Sequence, residues 1–197
     1  MDYSNLVTSL YDGMKYNDYV NKNTLYLDTD ITMESMNLLS RQLKTLADKQ
    51  FKLNKLERTP IKIIISCYGG EARSTFYFCD LMEYYTSKGI DIHTYVTSVA
   101  YSGAFKIAIC GSKRFAYKRS EFMCHQQAWR DEMYKTYQDE KRSAKRNEIM
   151  FDTLVNIITS HTKITREMFE SYSDRNDNFY MSSDEALKYN VIDEIIE

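Results

Sequence analysis

The sequence predicts an α/β fold built around a mostly parallel sheet. β-rich runs alternate with segments of helical period; residues 61–65 are almost continuously apolar, and residues 92–100 form a second β-rich run. Each of the two leads into small residues, after which a helical pattern begins at once. Alternating strands and helices form βαβ units with right-handed crossovers. Continuous apolar runs suit parallel strands that are covered by helices on both faces.

The first half of the chain contains two strand–helix units. Residues 25–27 form a short extended run, and from Thr32 the apolar residues recur at the spacing of an amphipathic helix. These apolar residues are Met36, Leu39, Leu43 and Leu46. After a charged loop, residues 61–65 (Ile-Lys-Ile-Ile-Ile) predict a buried strand. A second helix pattern follows Gly69-Gly70 and ends near Gly89.

The second half repeats the alternation with shorter elements. A strand, a buried helix and two short strands are predicted over residues 92–100, 104–110, 115–117 and 121–124. Residues 130–160 are charged at first and then apolar, which is typical of a long helix that projects into solvent at one end. Ser182 and Glu185 have the spacing of a capping box, so a short helix is predicted to begin there and to stop at Asn190.

The composition indicates one globular, cytoplasmic domain. The chain has 197 residues and a net charge of −2, with 43% apolar and 27% charged residues. Near-neutrality argues against a nucleic-acid partner, and no stretch approaches the roughly 20 apolar residues that cross a membrane. The four cysteines lack Cys-x-x-Cys spacing and are expected to be reduced core residues. We expect the domain to span residues 25–197, with residues 1–24 as an N-terminal extension.

Two strand-to-helix junctions have the residues that acyl-transfer chemistry needs. Gly69 and Gly70 leave backbone N–H groups open toward a cavity, where they can hold an oxyanion. Ser102, followed by Gly103, stands where a nucleophile is presented at the start of a helix. Taken singly, the glycine pair also fits a plain turn and the serine a plain helix N-cap.

His125 is the histidine that remains as a candidate base, although a lone histidine in such a position is more often structural. It follows a short strand, whereas His93 and His161 are not paired with any serine by sequence. No group of His, Cys and Asp has metal-ligand spacing, and no phosphate-binding glycine loop occurs, so no metal and no cofactor are expected. Acyl transfer is the chemistry that uses glycines, serine and histidine together.

Read in order, these segments resemble the proteolytic subunit of the Clp protease family, a serine peptidase. The similar segments are residues 63–70 (Ile-Ile-Ile-Ser-Cys-Tyr-Gly-Gly), 100–105 (Ala-Tyr-Ser-Gly-Ala-Phe), 113–115 (Lys-Arg-Phe), 122–126 (Phe-Met-Cys-His-Gln) and 181–193 (Met-Ser-Ser-Asp-Glu-Ala-Leu-Lys-Tyr-Asn-Val-Ile-Asp). The resemblance implies a crotonase-like spiral of βαβ units with a long protruding handle helix.

The chain departs from the family pattern at three places. Tyr68 replaces the proline before Gly-Gly. One alignment puts Tyr101 at the nucleophile position, but Ser102 is preferred because its 23-residue spacing to the histidine also fits. The family's acidic residue falls on Asn178 or, with one inserted residue, on Asp177. Asparagine can orient an imidazole but cannot stabilise its positive charge.

The resemblance also implies a role for each candidate residue. Ser102 is the nucleophile, His125 its base, and Asp177 or Asn178 the residue that orients the histidine. The N–H groups of Gly69 and Gly103 form the oxyanion hole. Substrate is expected to pass along Gly70 and Glu71.

Partners follow from the resemblance as well. Substrates are unfolded polypeptides, delivered by an AAA+ unfoldase, and the subunits associate into stacked rings that enclose the active sites. An alternative is a catalytically weak or inactive ring subunit, motivated by Tyr68 and Asn178. An acyl-CoA enzyme of the crotonase type shares the fold but gives no reason for Ser102 and His125 to occur together.

Overall fold

The fold is a mixed α/β structure in which one sheet runs through the whole domain. The structure is a computed structural model, and it describes residues 23–126, 136–173 and 177–197. Its strands are β1 (Thr24–Leu27), β2 (Ile61–Cys67), β3 (Ile92–Tyr101), β4 (Lys113–Tyr117), β5 (Glu121–Cys124), β6 (Phe179–Ser182) and β7 (Glu194–Ile196). Its helices are α1 (Met33–Phe51), α2 (Ala72–Ser87), α3 (Gly103–Ile109), α4 (Tyr137–His161), α5 (Arg166–Ser173) and α6 (Ser183–Lys188). The predicted fold class is therefore confirmed.

The sheet is parallel except at one edge. Strands β1, β2, β3, β4 and β7 lie side by side in that order, all parallel. Strand β5 pairs in parallel with the end of β3, and β6 pairs antiparallel with β5. Parallel pairing follows from the crossovers, because a helix between two strands returns the chain to the same end of the sheet.

Strand β3 is the centre of the architecture because its two halves have different neighbours. Residues 93–96 pair with β4, whereas residues 99–101 pair with β5. Its register with β2 shifts between the pairings of Ile65 and Cys67. The carboxyl ends of β2, β3 and β5 therefore converge, which is where parallel sheets bind their ligands.

The helices cover the sheet with the faces that the sequence pattern indicates. The α1 stripe of Met36, Leu39, Leu43 and Leu46 is buried. Helix α1 packs against α2, and the short, wholly buried α3 packs between α2, β3 and α4. Helix α4 has no buried residue before Met150, so its first half lies in solvent, as the charge pattern predicts.

The ends of several helices are fixed by capping side chains and by a residue in the left-handed conformation. Thr32, Thr136 and Ser182 each cap a helix with a side-chain oxygen. The backbone N–H of each donates in turn to the side chain of the residue three positions later. Asn190 has a φ of 56° and ends the C-terminal helix region, where a left-handed residue was predicted.

Three elements were not predicted from sequence: α5, β6 and β7. The two strands have only four and three residues, too few to show an alternating pattern. The predicted N-terminal extension, residues 1–24, lies outside the described residues except for its last two positions. Along the part of the chain that is described, no helix is both long and apolar enough to cross a bilayer.

Candidate active site

Ser102 occupies a strained turn between β3 and α3. Its backbone has φ 52° and ψ −111°, which non-glycine residues rarely adopt. Its N–H donates to the Met123 carbonyl at 2.8 Å, which ties the turn to β5. Its side chain makes no capping hydrogen bond to α3, so the plain N-cap interpretation does not hold. A strained, held turn that presents a hydroxyl is typical of nucleophilic serines.

The hydroxyl of Ser102 meets the imidazole of His125. Tyr101 pairs with Met123 across β3 and β5, so the residues just beyond each strand lie side by side. His125 Nε2 is 2.9 Å from Ser102 Oγ, within the reach that a base needs to take the proton. This sheet register thus brings together two residues that are 23 positions apart.

The environment of His125 favours its neutral form. Burial, and next the charge of Lys106, lower the pKa of the half-buried imidazole, while a hydrogen bond with the backbone of Gln126 acts in the opposite direction. A lowered pKa keeps Nε2 unprotonated at neutral pH, which a general base requires.

Tyr101 does not take the place of the serine. Its hydroxyl donates to the Glu121 carboxylate, and its ring meets those of Tyr68 and Tyr180 edge-on at centroid distances of 5.5 Å and 5.8 Å. Burial and the contact with Glu121 raise the pKa of Tyr101. The alignment that put Tyr101 at the nucleophile position therefore has no support in the geometry.

Gly69 packs directly against the serine turn. Its φ is +101°, and a Cβ there would lie 2.7 Å from the Tyr101 carbonyl oxygen and 2.8 Å from the Gly103 nitrogen. Glycine is required at this position both by conformation and by space. Gly103 is equally confined, since its Cβ would be 2.6 Å from Thr75 Oγ1.

The backbone amides near the serine differ in their partners. The Gly69 N–H, predicted as an oxyanion donor, is directed at the Cys67 thiol, 3.3 Å away, and Gly69 is buried. Within the described part of the chain, the N–H groups of Gly70 and Gly103 have no acceptor. Gly70 is exposed, and its nitrogen lies 3.5 Å from the position of a Cβ on Gly103. Two unused donors thus adjoin the serine turn.

The remaining substrate-site candidate, Glu71, begins α2 at the surface. Its carboxylate accepts a hydrogen bond from Ser74 Oγ at 2.8 Å, and its N–H donates to the Ile31 carbonyl at 2.8 Å. These bonds fix the chain that follows Gly70 beside residue 31, which leaves one side of Gly70 exposed.

Among the described residues, no hydrogen bond or ion pair joins Asp177 or Asn178 to His125. Both are exposed, and the Asp177 carboxylate accepts a hydrogen bond from the Asn178 N–H at 2.9 Å. The Asp177 N–H donates to the Tyr172 carbonyl. The serine–histidine pair is therefore assembled, whereas neither described candidate for the third residue is hydrogen-bonded to it.

Two polar features near the pair were missed by sequence reasoning. The Gln126 side-chain amide donates to the Ser173 carbonyl at 3.3 Å, which links the end of β5 to the end of α5. Ser173 is buried, and its hydroxyl has no partner among the described residues. No periodic pattern marks either residue, because their contact depends on where α5 docks.

Lys106 is the other unpredicted feature. It lies one helical turn after Ser102 and is only 4% exposed, with its ammonium 5.8 Å from the centre of the Phe76 ring. Burial lowers its pKa to about 8. A lysine inside an apolar helical run was readable in the sequence, but its burial was not.

Comparison with known proteins identifies the class to which this fold and site belong. The model of the family described as Clp protease matches residues 10–197. The chain is 30% identical, over 88% of its length and 73% of the relative's, to an ATP-dependent Clp protease proteolytic subunit of Porphyromonas gingivalis. It is 26% identical, over 92% of its length and 84% of the relative's, to the protein of the same name from Deinococcus radiodurans. The chain belongs to the Clp protease family, and its class is that of the peptidases, which are hydrolases.

Proposed function

We propose that the chain is a serine endopeptidase that cleaves unfolded polypeptides inside an oligomeric chamber. The observation that carries the proposal is the 2.9 Å contact between His125 Nε2 and Ser102 Oγ on a strained turn. Family membership supplies the reaction class, and this pair supplies the groups that perform it.

The reaction begins when Ser102 Oγ attacks the peptide carbonyl carbon and His125 Nε2 takes the hydroxyl proton. The tetrahedral intermediate then collapses, and the imidazolium gives its proton to the leaving amine. Water, activated by the same imidazole, hydrolyses the acyl-enzyme and regenerates the serine. The lowered pKa of His125 keeps it ready as a base at neutral pH.

The oxyanion is held by backbone N–H groups beside the serine turn. Gly103 is one donor, as the resemblance implies, and we assign the second to the glycine pair. Gly70 suits that role better than Gly69, because the Gly69 N–H is directed at Cys67 whereas the Gly70 N–H is unused and exposed. Loss of one such donor raises the barrier by about 3 kcal/mol. Substrate passes along Gly70 and Glu71.

The third catalytic residue is Asp177 or Asn178, which must move to reach the imidazole of His125. In this structure the His125 ring bonds Ser102 Oγ and the Gln126 backbone. An aspartate there stabilises the imidazolium by charge, whereas an asparagine only orients it. Asp177→Asn and Asn178→Ala therefore distinguish the two, since the variant that removes the working residue loses far more turnover than the other.

The proposals on assembly and partners rest on the names of the relatives and on the exposed surface of α4. Those names describe ATP-dependent proteolytic subunits, so we propose that a separate AAA+ unfoldase supplies the polypeptide. We also propose that the complex of the two proteins is cytoplasmic. The first half of α4 is exposed and carries Tyr137 and Ile149, which are 74% and 57% exposed. We place the contact between two stacked rings there.

A fluorophosphonate probe tests the nucleophile directly. The wild-type chain is expected to be labelled at Ser102 and to hydrolyse a short fluorogenic peptide. Ser102→Ala is expected to lose both, and His125→Ala to lose most labelling because the hydroxyl is no longer activated. Tyr101→Phe is the matched control, since it keeps the shape of the neighbouring side chain and should still be labelled.

Labelling that persists in Ser102→Ala would contradict the assignment. Ring assemblies by native mass spectrometry, without labelling or hydrolysis, would instead identify the inactive ring subunit.

A further inference from the structure

A cluster of metal-ligating side chains lies away from Ser102, at the opposite end of α3. Glu83 on α2, Cys110 at the end of α3 and His161 at the end of α4 bring their ligand atoms within 4.8 Å of one another. The three residues are 27 or more positions apart in sequence, so the tertiary fold alone assembles them.

Cys79 adds a fourth ligand of the same kind. It is buried on α2, one turn before Glu83, and it lies near enough to Cys110 to help raise the pKa of that thiol. Residues four apart on a helix share a face, so Cys79 and Glu83 approach Cys110 from the same side. Both cysteines are free thiols.

The orientation of His161 is that of a metal ligand. Its Nδ1 lies 3.0 Å from both the Ile157 carbonyl oxygen and Ser160 Oγ, which hold that side of the ring. Its Nε2 faces the cluster and lies 3.4 Å from Glu83 Oε1. A backbone carbonyl that fixes the ring of a ligating histidine is a regular feature of metal sites.

We propose that Cys79, Cys110, His161 and Glu83 bind a structural Zn²⁺ ion. Two thiolates and an imidazole are donors for zinc rather than for calcium or magnesium, which take oxygen ligands. Tetrahedral zinc with bonds of about 2.0–2.3 Å needs ligand separations of roughly 3.4–3.8 Å. The Nε2–Oε1 distance of 3.4 Å already meets this requirement, and the ligand atoms of Glu83, Cys110 and His161 all lie within 4.8 Å of one another, so these three must close by at most about 1 Å.

Binding requires no redox step. Both thiols lose their protons to solvent as they coordinate the ion, and the four protein ligands close the tetrahedron. Without a cation, the hydrogen bond with Cys79, burial and the Glu83 charge all raise the pKa of Cys110. The Glu83 side chain is 48% exposed, which leaves the ion a path from solvent.

The ion would join the ends of three helices. Helix α3 begins at the Ser102 turn and ends at Cys110, so a metal at its far end fixes the helix that follows the nucleophile. The His161 carbonyl also accepts a hydrogen bond from Arg114, which connects the site to β4. The expected role is to stabilise the fold, not to take part in hydrolysis.

Metal analysis of the purified full chain tests the site. After removal of metal by a chelator and addition of ZnCl₂, we expect about one tightly held zinc per chain by elemental mass spectrometry, with a melting temperature raised by roughly 4 °C. Co²⁺ in place of zinc is expected to give a thiolate-to-cobalt charge-transfer band.

Cys110→Ser and His161→Gln are each expected to weaken zinc binding at least about tenfold and to reduce or remove the cobalt band. Cys124→Ser and His93→Gln are the matched controls, because each changes a cysteine or histidine outside the cluster. Glu83→Gln changes a ligand at the surface without disturbing the core, and it is expected to weaken zinc binding. It serves as the test if the buried variants fail to fold.

Wild-type chain that holds no stoichiometric zinc would overturn the proposal, as would unchanged binding in both Cys110→Ser and His161→Gln. A Cys79–Cys110 disulfide in the purified protein would also overturn it. None of these readouts depends on peptidase activity.

Discussion

At the scale of single residues, the site depends on glycines that no other residue can replace. Gly69 combines a positive φ with backbone atoms of the serine turn at 2.7–2.8 Å from any added Cβ. Those atoms belong to main chain that also holds Ser102, so they cannot move without moving the proposed nucleophile. This position therefore couples stability to activity.

We predict that Gly69→Ala destabilises the fold by roughly 3 kcal/mol or more and abolishes probe labelling of Ser102, because the added methyl group displaces the serine turn. Gly89→Ala is the matched control: its φ is also positive, at +81°, but its Cβ would meet only the flexible Arg58 side chain at 3.6 Å. It should cost about 1 kcal/mol and leave labelling intact. Urea unfolding of both variants measures the difference, and equal losses would contradict the steric argument.

Burial of the Lys106 ammonium group reduces the stability of the folded state at neutral pH. Burial lowers its pKa from 10.5 to about 8, so at neutral pH the folded state holds a charge that the unfolded chain solvates better. The penalty is full below pH about 8, and it declines as the pH rises toward 10.5, where the lysine is neutral in both states.

Lys106→Met is accordingly predicted to stabilise the fold at pH 7 by up to about 3 kcal/mol, with a gain that shrinks as the pH rises above 8. Denaturant unfolding at a series of pH values measures this effect. Lys118→Met, on an exposed lysine, is the control and should show no such pH dependence. If the Lys106→Met variant is less stable than wild type at pH 7, the ammonium has a stabilising partner and the prediction is wrong.

At the scale of elements, Arg114 connects three parts of the chain. Its guanidinium bonds both Asp193 oxygens and also donates to the carbonyls of His161 at 2.7 Å and Asn190 at 2.8 Å. Burial alone would raise the pKa of Asp193, but hydrogen bonds and charge from Arg114 outweigh it and lower the pKa. The stabilisation is thus present above the ordinary carboxyl pKa and is lost as the pH falls through the lowered one.

Replacing Arg114 by methionine should cost about 2–3 kcal/mol at pH 7, because two carbonyls lose a charged donor and the Asp193 carboxylate, which is 35% exposed, loses its partner. The matched control is Arg166→Met, which removes a guanidinium that also bonds two acids but is 39% exposed. That change should cost no more than about 1 kcal/mol. Thermal unfolding followed by circular dichroism gives both values, and similar losses would exclude a special role for Arg114.

At the scale of the whole molecule, the exposed first half of α4 is the surface on which assembly is proposed to depend. No described residue before Met150 is buried in this helix, although Tyr137 and Ile149 are large and apolar. A helix that buries nothing over three turns gains little stability from its own subunit, which supports the proposal that a partner copy packs against it.

The double variant Tyr137→Asp with Ile149→Asp is predicted to separate stacked rings into single rings, since it places two charges where apolar contacts are proposed. Native mass spectrometry reports the assembly, and circular dichroism checks that the subunit stays folded. Met33→Asp, on another exposed apolar side chain, is the control and should leave the stack intact. A stack that survives the double variant would place the ring contact elsewhere.

Particular elements show which parts of the fold could be predicted from the sequence and which could not. The α1 stripe, β2 and the Ser182–Glu185 capping box were predicted because their signals are local, in a periodicity, an apolar run and a cap. Helix α5 and strands β6 and β7 were missed because they are short and are stabilised by the elements they pack against. The choice between Asp177 and Asn178 stays open, since both are exposed and neither has a hydrogen bond with His125 among the described contacts.

The sequence by itself determined the order of strands and helices and the candidates Ser102 and His125, because periodicity, glycines and caps act over a few residues. Only the tertiary structure decided which groups meet: the β3–β5 register that joins Ser102 to His125, the Cys67 thiol that engages Gly69, and the Glu83–Cys110–His161 cluster. Contacts between distant positions depend on how whole elements pack, and no local pattern records that packing.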